Sequence, residues 1–368
     1  MSRLLIATLS VITILMSISV FADEKADQKS EILSLHKLYK TSLKAGNIDE
    51  ALGIAEQIYA LTPQVYGKIS KTHATATFNL GQVSELARKR HQAAQYYQEH
   101  MNILDDLGTP KDKKYLFKLD LLSKAYSENR NNEDAIKYAR MGLDLAKELQ
   151  VSDEMLADQM LRLGIYYSMS HKHSRQARRL VNKAHELLSK TLGDQHHKTA
   201  FAIFWQAKIN MAYKKPKRAA EKFEKVLAVY KNQLPAGHDR TLQVHAFLVG
   251  AYEKMGKTDK ATEHCIAVAT ERPIDFNREI KPLYKTRPKY PRSALMSGKS
   301  GHIIAEFTVD EFGQVKDIKT LHGENIKTFE KEAHEALSKF RYALSTKDGI
   351  RVKTEGVLHR ITFRMAKR

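Results

Sequence analysis

The sequence predicts an α-helical solenoid of about six helix-turn-helix repeats, followed by a small α+β domain of β-β-α-β order. Three observations predict it. Ala51, Ala93, Ala135, Ala177, Ala219 and Ala261 recur at one fixed period of 42 residues. Beyond Arg287 the apolar residues change from helical spacing to strict alternation and back. The 368 residues include only 8 prolines and no Pro-rich tract, so helical repeats rather than a Pro-rich spacer fill the middle of the chain. The expected boundaries are an apolar segment over 1–22, the solenoid over 23–272, a linker over 273–285 and the α+β domain over 286–368.

At the N-terminus, Arg3 precedes 19 uncharged residues, Leu4 to Ala22, and Asp23-Glu24-Lys25 follows. Val20-Phe21-Ala22 has small residues where a signal peptidase would cut. The run approaches the roughly 20 residues that span a bilayer. It therefore reads as a cleaved export signal or as an inner-membrane anchor over residues 4–22. Its Ser and Thr content (Thr8, Ser10, Thr13, Ser17, Ser19) favours the signal. Either form sends the rest of the chain across the inner membrane.

In the middle, each periodic Ala follows a short polar turn, such as Gly46-Asn47-Ile48-Asp49, Asn131-Asn132-Glu133-Asp134 or Gly256-Lys257-Thr258-Asp259. Each is followed by apolar or aromatic residues at helical spacing, including Ile54 and Ile58, Tyr96 and Tyr97, Tyr138, Phe223 and Leu227. A helix with a small residue for close packing precedes each turn: Gly81, Ser123, Gly164, Ala207, Gly250. This pattern resembles tetratricopeptide (TPR) repeats. The usual TPR period is about 34 residues, and the longer one here is similar to the extended repeats of kinesin light chain. His196 and His238 recur at the repeat period, as do Thr199 and Thr241. The histidines are therefore expected to shape loops rather than bind metal, with Thr199 and Thr241 as N-caps. His171 and His173 sit among Lys and Arg, which would repel a cation. Stacked repeats present a long concave surface suited to a peptide or protein segment. Tyr96, Tyr97, Tyr166, Tyr167, Phe204 and Trp205 are candidates to line it, although aromatics at this spacing are more often core.

The last eighty or so residues open with Arg287-Pro288-Lys289-Tyr290-Pro291. Ile303, Ala305, Phe307 and Val309 alternate along a strand beginning near Gly301. Glu311-Phe312-Gly313-Gln314 supplies a turn, and Val315 to Leu321 reads as the returning strand. Ile326, Phe329, Ala333, Leu337 and Phe340 follow at helical spacing. A final strand over about Val352 to Met365 sets Val357, His359, Ile361, Phe363 and Met365 against Leu358, Arg360, Thr362 and Arg364.

Pro-x-Tyr-Pro at Pro288 to Pro291, Gly301, Asp310-x-x-Gly313, Phe340-Arg341-Tyr342 and Phe363, in this order, resemble the C-terminal domain of TonB-family energy transducers. The resemblance implies a periplasmic domain that grips an extended segment of an outer-membrane receptor by β-strand addition at its last strand. Carried onto this sequence, the partner-binding residues are Arg287, Pro288, Tyr290, Pro291, Lys353, Leu358, Arg360, Thr362 and Arg364. Inner-membrane motor components are a further implied partner. Three departures stand out. Arg287 occupies a position where the family often has Gln. Ala343-Leu344-Ser345 replaces a Pro often found after the aromatic-basic-aromatic triplet. No His lies between Leu4 and Ala22, where members that couple to the motor carry one, which argues against direct energy coupling. A non-energising periplasmic scaffold is therefore the alternative.

The chain holds 61 Lys+Arg against 42 Asp+Glu, a net charge of +19. Such a balance suits nucleic acid, anionic membrane surfaces or acidic protein segments. The apolar N-terminus and the absence of a recognition motif turn the expectation away from nucleic acid. The single cysteine, Cys265, excludes an internal disulfide and is expected to be a small buried hydrophobe. No Gly-x-Ser-x-Gly, His-Glu-x-x-His or phosphate-loop motif occurs, so neither an enzyme, a cofactor nor a metal site is expected.

Overall fold

A computed structural model describes residues 25–275 and 279–365. The expected export signal or anchor lies outside the described residues. Two compact units divide at Leu180/Val181, and the later repeats share the second unit with the C-terminal domain.

In the first unit, α1 (25–45), α2 (Ile48–Tyr66), α3 (Lys71–Leu86), α4 (Arg90–Asp106), α5 (Lys113–Glu128), α6 (Asn132–Glu148) and α7 (Asp153–Met169) form successive antiparallel pairs. A 3-10 turn, His171–His173, leads into α8 (Ser174–Leu192), which runs across the division. The second unit continues with α9 (His197–Ala212), α10 (Pro216–Gln233), α11 (Asp239–Lys254) and α12 (Thr258–Glu271). The six periodic alanines are all at most 1% exposed, because each lies where the second helix of a pair crosses the first.

The turns inside the pairs have a common backbone cause. Gly46, Arg88, Arg130, Lys214 and Gly256 all have positive φ, between 55° and 77°, and all fall on the 42-residue register. In each turn the next N–H bonds back to the carbonyl five residues earlier: Asn47 to Ser42, Lys89 to Ser84, Asn131 to Tyr126, Lys215 to Asn210 and Lys257 to Tyr252. This left-handed close satisfies orphan carbonyls at the helix end. The pair at 171–173 uses the 3-10 turn instead.

Between pairs, Ser70, Asp112 and Ser152 cap the following helix by accepting backbone N–H groups. For α9 and α11 the caps are His196 and His238, whose Nδ1 accepts from Lys198 N at 3.2 Å and Arg240 N at 3.1 Å. The expectation of Thr199 and Thr241 as caps is thereby corrected. Both are buried inside the first turn, and their hydroxyls have no hydrogen-bond partner among the described residues. Tyr97, Tyr166, Tyr167, Phe204 and Trp205 are buried. Cys265 is fully buried, and burial pushes its thiol up to about 12.

The C-terminal domain is built on β3 (Gly301–Val309), β4 (Val315–Glu324), α14 (Ile326–Leu337) and β8 (Thr354–Phe363), the β-β-α-β order that the alternation predicts. Ile303, Ala305, Phe307 and Val309 point inward with Phe329, Ala333, Leu337, Phe340, Ile361 and Phe363. The segment 273–285 is more than a connector. Within it, β1 (Ile274–Asp275) pairs with β6 (Ser345–Lys347), and β2 (Pro282–Tyr284) pairs with β5 (Arg341–Tyr342). A short helix, α13 (Arg292–Met296), precedes β3. β6 and β7 (Ile350–Val352) form a hairpin closed by Asp348-Gly349, both at positive φ, as a type I′ turn requires. Val352, expected in the last strand, belongs to this hairpin.

Candidate functional site: the open edge of the last strand

The central sheet runs β4-β3-β8, with both pairings antiparallel. β3 is therefore enclosed and β8 is an edge. Its register, from Gly301 opposite Phe363 to Phe307 opposite Val357, buries Ile361 and Phe363 and half-buries Val357 and His359. Leu358, Arg360 and Thr362 lie on the opposite face, exposed, with Leu358 at 60%. Gly356, at φ 69°, sits where the β3–β8 register shifts, so the strand bends at its entry.

Two glycines fix the sheet geometry. A Cβ on Gly301 would collide with the Glu324 carbonyl oxygen and the Phe329 ring, so β3 can begin there only without a side chain. Gly313 has φ 79° in the β3–β4 turn, and Asp310 Oδ1 accepts from Phe312 N at 3.0 Å and Gln314 N at 2.7 Å. The Asp-x-x-Gly motif is thus a side-chain-capped turn.

The structure brings the Pro-Lys-Tyr-Pro segment to the end of β8. Tyr290 makes edge contacts with Phe329 and Phe363, ring centres 5.7 and 5.8 Å apart, and Phe363 stacks on Phe329 at 4.4 Å. The Tyr290 hydroxyl donates to the Lys299 carbonyl at 2.7 Å. Tyr290 and the buried Pro291 are thus packing residues that hold the segment against the strand end. Pro288 is half-buried, while Arg287 is exposed. Lys353, Arg360 and Arg364 are exposed too, and Lys353 pairs with Glu355 at 2.6 Å. Lys353 lies before β8 starts, and Arg364 just after it ends.

Sequence reading missed two features. The Ala343 N–H donates to Lys281 O at 3.1 Å. A proline at 343 could not make that bond. The second is Arg341, buried between two aromatic neighbours in the chain and paired with Glu253 of α11. Its signal, a basic residue flanked by apolar ones, names no partner.

Residues 286–365 match the family model of the Gram-negative bacterial TonB protein C-terminal. Protein TonB of Yersinia enterocolitica is 35% identical over 69 residues, 18% of this chain and 27% of that protein. Protein TonB of Pseudomonas aeruginosa is 34% identical over 64 residues, 17% of this chain and 19% of that protein. The chain thus spans only about a quarter or less of the length of these relatives. For the repeats, the crystal structure of BtubC from P. vanneervenii aligns over 62% of this chain and 89% of its own, at 16% identity and a TM-score of 0.47. The repeat assignment rests on the 42-residue helix pairs themselves. The chain therefore carries a TonB C-terminal domain fused to a solenoid of tetratricopeptide-type repeats.

Proposed function

We propose that this chain is a periplasmic protein that engages TonB-dependent outer-membrane receptors by β-strand addition and supports energised nutrient uptake, its solenoid recruiting a protein partner. One observation carries the reading. β8 bonds to β3 on one side and has no strand on the other among the described residues. An extended receptor segment laid along that side would take up the open backbone groups. Leu358 offers it an apolar contact, and Arg360 and Arg364 favour acidic or dipolar residues. Arg287, Pro288, Tyr290 and Pro291 frame the end of the strand. Among the described residues no helix is long and apolar enough to cross a membrane. Inner-membrane motor components would be reached only through a segment outside the described residues.

The test is a titration of the methyl-labelled full chain with N-terminal peptides of TonB-dependent receptors from the same cell, followed by NMR. Shifts at the Leu358 and Ile361 methyls with one peptide preferred are expected. Silence of both with every peptide would sink receptor engagement. The burial of Arg341 against α11 favours the second reading, a non-energising scaffold for envelope assembly whose C-terminal domain is held by the solenoid.

A further inference from the structure

A cavity of about 380 Å³ opens between α8, α9 and α10. Its size lies in the range of ligand sites, roughly 300–1,000 Å³. One wall is basic, formed by His185, Lys222 and Lys225, and the other is apolar, formed by Ile203, Ala228 and Val229. The acid at its rim, Asp194, is exposed and already accepts from the Ser189 hydroxyl. Lys222 is half-buried, and its Nζ is held at 2.6 Å by the neutral Gln206 Oε1, not by a carboxylate. Lys225 is exposed, and among the described residues it forms no ion pair.

Such a cluster is electrostatically incomplete. Burial, and then the neighbouring Lys225, draw the Lys222 ammonium below its ordinary range. Burial and then Lys222 do the same to His185, which Asp194 and Glu186 only partly oppose. Half-buried charge that Asp194, Glu186 and Glu221 only partly counter is costly, and an arriving anion would recover part of that cost. The apolar wall asks for more than a bare anion: a carboxylate followed by a hydrophobic side chain. Helical repeats of this type bind protein segments, and the peptide form of this chemistry fits such a surface.

We propose that the cavity between α8, α9 and α10 binds an acidic–apolar peptide segment of a partner protein, with Lys222 and Lys225 receiving a carboxylate and Ile203 and Val229 the adjoining apolar side chain. The proposal rests on partner recruitment by the solenoid and is independent of strand addition at β8.

The test uses the full chain and two capped pentapeptides, one alternating Glu and Leu, the other Gln and Leu, with inorganic phosphate as competitor. The Glu peptide should bind at least tenfold more tightly than the Gln peptide. Lys225→Glu should weaken it at least tenfold, and Lys222→Gln should do so in a chain whose circular dichroism is unchanged. Lys225 is exposed and outside the Gln206 bond, so its variant tests the site even if the Lys222 variant misfolds. The His185 imidazole should also titrate at higher pH with the Glu peptide bound, because a carboxylate favours the imidazolium. Equal binding of the Gln peptide, indifference to Lys225→Glu, or phosphate raising the His185 titration as far as the peptide does would each overturn the proposal. A photo-crosslinking residue at Ala228, compared with one at the exposed Phe117, separates the two readings. A partner captured only at 117 leaves recruitment standing and removes this site.

Discussion

Arg341 Nε lies 2.7 Å from Glu253 Oε1, and the two side chains are only 6% and 9% exposed. Arg341 belongs to β5 of the C-terminal domain and Glu253 to α11. Beside them, a Cβ on Gly250 of α11 would meet the Tyr284 ring of β2 at 3.2 Å, so that glycine admits the strand. The last repeat and the C-terminal domain therefore share a buried contact with a charge inside it. Glu253→Gln leaves the guanidinium buried with its counter-charge gone and should cost about 3–5 kcal/mol. Arg341→Met combined with Glu253→Leu should recover most of that loss, since both charges then leave together. Urea unfolding of the three proteins decides it; a single-variant loss below about 1 kcal/mol would show the pair to be solvated in practice.

The left-handed turn residues give a second prediction with the opposite sign. Arg88, Arg130 and Lys214 occupy the backbone position that Gly46 and Gly256 occupy in other pairs. A side chain there costs roughly 1–2 kcal/mol in the folded state, part of which glycine returns as unfolded-chain entropy. Arg88→Gly, Arg130→Gly and Lys214→Gly should each therefore stabilise the chain by about 0.5–1 kcal/mol. Thermal unfolding of the triple variant should show a raised midpoint, and a lowered one would mean that the basic side chains hold these turns by contacts of their own.

These turns also show what was legible in the sequence. The alanine period reports a packing constraint repeated at each helix crossing, and packing constraints leave periodic traces. Alternation at Ile303 to Val309 and at Val357 to Phe363 likewise gave the inward faces of β3 and β8, because a half-buried strand must alternate. The caps were assigned to the wrong residue type: Thr is the commoner cap, and nothing local says that the imidazoles of His196 and His238 reach the N–H groups first. The β6–β7 hairpin had a readable signal in Asp348-Gly349. The Arg341–Glu253 pair and the His185, Lys222 and Lys225 cluster had none, since each joins residues from separate helices or domains through tertiary packing alone. For the candidate site, the exposed series Leu358, Arg360 and Thr362 was legible, whereas the packing of Tyr290 against Phe329 and Phe363 and the burial of Pro291 were not.

His100 sets a pH dependence in the first unit. It is 5% exposed, its Nδ1 donates to the Ala74 carbonyl at 2.8 Å, and its Nε2 has no partner among the described residues. Burial pulls its pKa from 6.5 to about 4, against the Ala74 carbonyl and with help from Lys118. The unfolded chain accepts this proton below pH 6.5, while the folded chain refuses it until about pH 4. Stability present above pH 6.5 is therefore lost as the pH falls towards about 4, and no further loss comes from this group below that. The ceiling is about 3 kcal/mol, at about 1.4 kcal/mol per pH unit. His100→Gln keeps a donor for Ala74 O and cannot titrate, so urea midpoints at pH 7, 5.5 and 4 should fall less steeply in that variant. Parallel slopes would place the acid sensitivity elsewhere.

The edge of β8 offers the most direct test of receptor engagement. Thr362 is exposed on the edge strand opposite His302, while its neighbours Ile361 and Phe363 hold the strand to the core. Proline at this position removes a backbone N–H and distorts the edge, and edge strands are where a sheet tolerates it. Thr362→Pro should therefore leave the domain folded, because the Phe363–Phe329 stack and the buried Ile361 remain, and should abolish receptor-peptide binding. Arg360→Glu changes only the charge on the outer face. It should weaken acidic receptor segments several-fold and reduce their salt dependence while preserving the backbone ladder. A folded Thr362→Pro chain that binds as tightly as the parent would remove strand addition at this edge. If Arg360→Glu alone then weakened binding, the receptor would be meeting the face of β8 through its side chains.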